Sequence, residues 1–120
     1  MRKDKLESNL IVKQTFEFAL LVIDYCKKLD RQKEFQLSKQ LFRSGTSIGA
    51  NVCEAQNAES KADFIHKFKI AAKEVDETQY WLLLCKHSSG YPNCELLLQK
   101  LEEIDKIITK IISSTKTKLG

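Results

Sequence analysis

Residues 60–86, SKADFIHKFKIAAKEVDETQYWLLLCK, decide the architecture. Phe64, Phe68, Ala71, Val75, Thr78, Leu82 and Cys85 recur at alternating steps of three and four, the spacing that stacks side chains on one face of an α-helix. At the head of the stretch, Ser60-Lys61-Ala62-Asp63 puts a hydroxyl at the N-cap and an acid three residues later, a capping-box variant that starts a helix sharply. Beyond its tail, Ser88-Ser89-Gly90-Tyr91-Pro92-Asn93 reads as a stop, a turn and a new N-cap.

Three more segments share this period. The first spans roughly Asn9 to Leu29, with Val12, Phe16, Ala19, Ile23 and Cys26 as its core stripe. The second, from about Gln36 to Asn57, carries Leu37, Leu41, Ile48, Val52 and Ala55; the last starts near Asn93 and carries Leu97, Leu101, Ile104, Ile108 and Ile111. Four Gly and one Pro in 120 residues are too few turn residues for a sandwich or barrel of short strands. Linkers as short as Asp30 to Glu34 force antiparallel neighbours. The expected fold is therefore all-α, an antiparallel up-down-up-down four-helix bundle in one domain over 1–120, with helices at about 9–29, 36–57, 60–87 and 93–114.

A hydrophobic fraction of 42% and a charged fraction of 30% describe a soluble globular chain, and the net charge of +4 suits an anionic partner. Cys26, Cys53, Cys85 and Cys94 form no C-x-x-C pair, and three of them fall in helical segments as small hydrophobes. The start, MRKDKLESNL, lacks the apolar stretch of a signal peptide, and the longest apolar run, Ala19 to Ile23, is far short of a membrane span. The expected location is a reducing cytoplasm with no membrane contact.

Two helices present a second apolar face opposite the expected core stripe. Phe18, Leu21 and Tyr25 lie there on the first, and Ile70, Tyr80, Trp81 and Leu84 on the third. The back of the fourth, with Gln99, Glu102, Glu103, Lys106 and Lys110, is an ordinary solvated face. Seven large apolar side chains left in water would form a sizeable patch on so small a domain, so these residues are expected at the interface of a homo-oligomer.

In the second helix, Gly45 and Gly49 cost helix propensity but permit a neighbouring backbone to approach. Arg43, Ser47, Asn51 and Glu54 share one narrow strip at the edge of the core stripe. That strip reads either as a polar network fixing helix register or as an anion site around Arg43.

Leu41-Phe42-Arg43-Ser44-Gly45-Thr46-Ser47-Ile48-Gly49-Ala50-Asn51-Val52 and Ser60-Lys61-Ala62-Asp63-Phe64-Ile65-His66-Lys67 resemble the signature of four-helix bundle proteins encoded in intervening sequences of bacterial 23S rRNA genes. Ala71-Ala72-Lys73-Glu74, Glu77-Thr78-Gln79-Tyr80-Trp81-Leu82 and Gly90-Tyr91 fit the same pattern, whereas Val52-Cys53-Glu54-Ala55 departs from it while keeping a small residue at Cys53. Members of this family are often labelled ribosomal proteins, and the resemblance implies association with an rRNA insertion. A related bundle, the accessory variability protein of diversity-generating retroelements, assembles as a pentamer beside a reverse transcriptase. The resemblance thus implies a homopentamer and carries over no catalytic site.

Chemistry finds little footing. His66 and His87 are the only histidines; Asp63 and His66 stand at i, i+3 without the further carboxylates a di-metal bundle needs, and Cys85-Lys86-His87 lacks zinc spacing. No cofactor, metal or enzymatic activity is expected. Tyr80 and Trp81 can stack bases or pack against another subunit. Antiparallel topology gathers Arg2, Lys3, Lys5, Lys110, Lys116 and Lys118 at one end and Lys27, Lys28, Arg31, Lys33, Lys39 and Lys86 at the other, with acids among both groups. Lys27, Lys28, Arg31, Lys110, Lys116 and Lys118 are the candidate nucleic-acid contacts. Five copies at +4 each carry about +20, a multivalent field for phosphates. The functional expectation is a non-enzymatic homo-oligomer that binds RNA or a ribonucleoprotein; the alternative is a scaffold or accessory subunit for a nucleic-acid enzyme such as a reverse transcriptase.

Overall fold

The computed structural model describes residues 9–119, the side chains of 118 and 119 excepted. Four helices follow one another: α1 (Leu10–Arg31), α2 (Phe35–Ala55), α3 (Lys61–His87) and α4 (Glu95–Leu119). Their ends carry the chemistry that starts and stops helices. The Asn9 side chain accepts the Val12 N–H at the head of α1. Ser60 Oγ accepts the Asp63 N–H at 3.0 Å, and the Asp63 carboxylate accepts the Glu59 N–H at 3.3 Å, closing a reciprocal cap on α3. At the end of α1, the Glu34 N–H donates to the Leu29 carbonyl and the Lys33 N–H to that of Asp30. This pair of bonds forces a left-handed residue after the helix, and Lys33 takes it with φ 64°.

Side-chain pairs fix the directions. Asn9 bonds Gln56 and Cys26 bonds Ser38, so the start of α1 lies beside the end of α2 and the reverse. Thr78 meets Ser44 and Lys67 meets Glu54, which runs α2 against α3; Lys86 and Glu95 meet across the last turn. α1 packs on α2 and α4, and α3 on α2 and α4, while α1 and α3 stand diagonally apart. This is the all-α up-down-up-down bundle that the helical stripes predict, 49 Å along its longest dimension.

The stripe of α3 is buried as expected from Phe68 through Ala71, Val75, Thr78, Leu82 to Cys85, with Ile65 in the core and Phe64 half-buried. On α1 the expected stripe holds at its ends, Val12 and Cys26, and fails between them. Its core residues are Ile11, Val12, Thr15, Phe18, Val22, Tyr25, Cys26 and Leu29, whereas Phe16 is exposed and Ala19 and Ile23 are half-buried. The two glycines of α2 supply the reason. A Cβ on Gly45 would lie 2.8 Å from both Val22 methyls, and one on Gly49 would lie 3.3 Å from the Thr15 carbonyl oxygen. α1 therefore turns its Thr15–Val22 face into the hollow that the missing side chains leave, and Phe18 and Tyr25 go into the core with it.

Candidate nucleic-acid interface and assembly faces

Lys27, Lys28 and Arg31 occupy the last turns of α1, all exposed, where the carbonyl end of the helix favours positive charge. Lys33 and Lys39 are exposed just beyond them, at the α1–α2 turn and on the first turns of α2. Lys86, expected in this group, is paired with Glu95 at 3.3 Å. At the opposite end Lys110 and Lys116 are exposed on α4. Lys116 joins His66 and Lys69 of α3 around a shallow hollow of about 340 Å³. The Lys118 side chain and the Arg2, Lys3 and Lys5 cluster lie outside the described residues. Among the described residues, Arg43, Lys67, Lys86 and Lys106 take part in ion pairs, while Lys27, Lys28, Arg31, Lys110 and Lys116 do not.

The polar strip of α2 is divided. Arg43 does not reach Glu54. Its guanidinium crosses to α3, where it donates to Glu74 at 3.3 Å and to Glu77. Glu54 pairs instead with Lys67 of α3 at 3.8 Å. Between them, Ser47 bonds the Arg43 carbonyl and Asn51 the Ser47 carbonyl, so both turn back on their own helix. Glu77 also accepts the Trp81 indole N–H at 3.1 Å. That bond, with the guanidinium beside it, holds the Glu77 carboxyl below its ordinary range. With two carboxylates already on Arg43, the strip is a register lock between α2 and α3 rather than a vacant anion site.

The expected assembly surface needs a correction on α1. Phe18 and Tyr25 are 1% and 4% exposed and cannot meet another copy. The Tyr25 hydroxyl donates to the Pro92 carbonyl at 2.6 Å, tying α1 to the α3–α4 connection. Leu21 is half-buried against α4, and Ile70 and Trp81 are half-buried on α3, while Tyr80 and Leu84 are exposed. The exposed large apolar residues of α1 are Leu10 at its start and, farther along, Phe16, 42% exposed, and Leu20, 49% exposed, with Phe42 of α2 exposed too. Phe16 and Ala19 edge an apolar hollow of about 200 Å³ whose opposite wall includes Thr46, Ala50 and Cys53. Its sequence signal is the small-residue spacing of α2, which selects the face α1 buries and thereby the face it leaves outside.

A second feature escapes periodicity. A hollow of about 700 Å³ lies between the start of α2 and the end of α3, with Trp81, Tyr91 and Leu37 in its walls. It joins residues 54 positions apart in the chain, from Leu37 to Tyr91, so only the register of α2 on α3 brings them together.

Catalytic groups do not converge. His66 and His87 are exposed on opposite ends of α3, and Asp63 is spent on its cap. Among the described residues no group of three or more His, Cys, Asp or Glu side chains is placed to hold a metal ion. Burial raises the Cys26 thiol to about 11 and pushes Cys85 and Cys94 up too, away from the reactive thiolate. No helix among the described residues is long and apolar enough to cross a membrane.

A family model described as 23S rRNA-intervening sequence protein matches residues 7–110. Among solved structures, the chain is similar to a protein with unknown function from the S23 ribosomal protein family of Bacteroides thetaiotaomicron. The two are 44% identical, with a TM-score of 0.82 over 85% of this chain and 97% of that one. No curated protein matches the chain.

Proposed function

The chain belongs to the 23S rRNA-intervening sequence protein family, and we propose that it is a non-enzymatic, homo-oligomeric bundle that binds RNA by backbone charge. One observation carries this reading: Lys27, Lys28 and Arg31 at one end and Lys110 and Lys116 at the other stand exposed and outside the ion pairs found among the described residues. Unneutralised cations at both ends of a rod suit a polyanion whose phosphates release counterions on binding. Recognition is then by charge and shape, with the family's link to 23S rRNA favouring RNA as the polyanion.

Assembly multiplies that charge. Because α1 and α3 stand diagonally apart, their outer faces point in different directions: Phe16 and Leu20 on one side, Tyr80 and Leu83 on another, with Leu84 lining the hollow beside Trp81. Two unlike apolar faces suit a head-to-tail contact, which closes into a ring when the rotation allows; the resemblance to the accessory variability protein implies five copies. Cys26, Cys85 and Cys94, buried as unoxidised thiols, suit a reducing cytoplasm.

The test is RNA binding by anisotropy across a salt series. The expected result is affinity falling steeply with salt, and a shallower slope for a Lys27→Gln, Lys28→Gln, Arg31→Gln variant. Binding that ignores salt, or no binding to an rRNA fragment at low salt, overturns the reading.

A further inference from the structure

We infer that the hollow between the start of α2 and the end of α3 receives an unpaired RNA nucleotide, its base stacked on aromatic walls and its phosphate met by Lys39. The inference rests on the RNA reading above and gives it a site. At about 700 Å³ the hollow is within the size range of small-molecule pockets and holds a base with its ribose. Trp81 and Tyr91 both line it. Each ring is fixed before any ligand arrives: the Trp81 indole N–H donates to Glu77 at 3.1 Å, and the Tyr91 hydroxyl to Glu34 at 3.3 Å. Aromatic plates held in place lose little rotamer freedom on binding.

The polar groups match a nucleotide better than an apolar peptide. Gln36 and Gln40, one turn apart on α2, are exposed on the rim and offer both donors and acceptors to a base edge. Lys39 lies between them, exposed and in no ion pair among the described residues. Lys27, Lys28 and Arg31 continue the positive surface on the same end of the bundle, where the Gln32 side chain bonds the Gly90 carbonyl. The Glu34 carboxylate that also lines the hollow is engaged by the Tyr91 hydroxyl. A duplex keeps its bases stacked inside and cannot enter, so the site is for a single-stranded or looped segment.

Trp81 is the only tryptophan of the chain, so its emission reports the site in the unmodified protein. Titration with an unlabelled oligouridylate is expected to quench that emission, and an RNA duplex of the same length is expected to bind without quenching. In a parallel anisotropy assay, Trp81→Leu is expected to weaken oligouridylate binding about tenfold or more and to leave duplex binding within about twofold, with helicity checked by circular dichroism. Lys39→Gln, on an exposed side chain, is expected to weaken the oligouridylate and flatten its salt slope by about one charge. Salt-dependent binding with Trp81 emission unchanged, or equal quenching by the duplex, overturns the inference and leaves the RNA reading standing. No anisotropy change with either RNA overturns both. Emission that shifts with protein concentration in the absence of RNA assigns the hollow to a second copy and overturns the inference as well.

Discussion

Gly45→Ala separates intrinsic helix preference from close packing, because the two have opposite signs at this position. On propensity alone, alanine inside α2 stabilises by about 1 kcal/mol. The added Cβ, however, would sit 2.8 Å from both methyls of Val22, roughly 1 Å inside ordinary carbon–carbon contact. Val22 has no exposed surface to move into, and its β-branched side chain has one strongly preferred rotamer in a helix. Overpacking of this kind costs about 1–3 kcal/mol, and two clashing methyls on a stiff neighbour put it at the upper end. The net expectation is a loss of about 2 kcal/mol, which for a chain of this length lowers the melting midpoint by about 8 °C. Thermal and urea unfolding followed by circular dichroism at fixed protein concentration measures it. Adding Val22→Ala removes both clashing methyls, so the double variant is expected to be more stable than the sum of the singles by at least about 1 kcal/mol. A Gly45→Ala protein more stable than the parent, by the full propensity gain, refutes the close approach of α1 to α2.

Lys33→Gly is expected to stabilise by about 1 kcal/mol in the same unfolding assay, because φ 64° strains a residue with a Cβ and suits glycine. Tyr25→Phe is expected to cost about 1–2 kcal/mol through the orphaned Pro92 carbonyl while leaving the solution mass unchanged, since the ring is in the core. Arg43→Gln is expected to cost under about 1 kcal/mol, the guanidinium side being half exposed. Its cost depends on pH: Glu77 titrates below its ordinary value of 4.5 in the folded chain, so its contribution is complete above that value and fades as the pH falls through the lowered one. The gap between parent and variant is therefore expected to narrow in acid, and a constant gap from pH 7 to pH 3 contradicts the pairing.

α3 is legible because its polar residues separate its stripe cleanly: Lys69, Lys73, Asp76 and Gln79 all fall outside the series from Phe68 to Cys85. α1 is not, because Phe16, Phe18, Ala19, Leu20, Leu21, Val22 and Ile23 make it apolar nearly all round between residues 16 and 23, and periodicity cannot choose between two stripes of similar strength. The choice is made on the neighbour, by the gap that Gly45 and Gly49 leave, so the apolar face left outside is Phe16–Leu20 and not Phe18–Tyr25. The polar strip was legible as a strip, but its partners Glu74, Glu77 and Lys67 depend on the sliding of α3 past α2, which no pattern within one helix encodes. The Trp81–Tyr91 hollow is hidden for the same reason. The terminal cations Lys27, Lys28 and Arg31 were legible because they fall off the apolar positions Cys26 and Leu29 that the end of α1 buries, and so on its solvated side.

In the proposed assembly, the charge field that RNA would meet depends on copies joining through the outer faces of α1 and α3. Light scattering on the purified chain over a hundredfold range of concentration weighs that assembly without any ligand. A ring gives one constant mass several times 13.8 kDa, five times for a pentamer, and falls to single subunits when Phe16→Glu or Tyr80→Glu puts a charge into either face. A mass of 13.8 kDa at every concentration contradicts the ring and leaves each subunit with its own charge of +4.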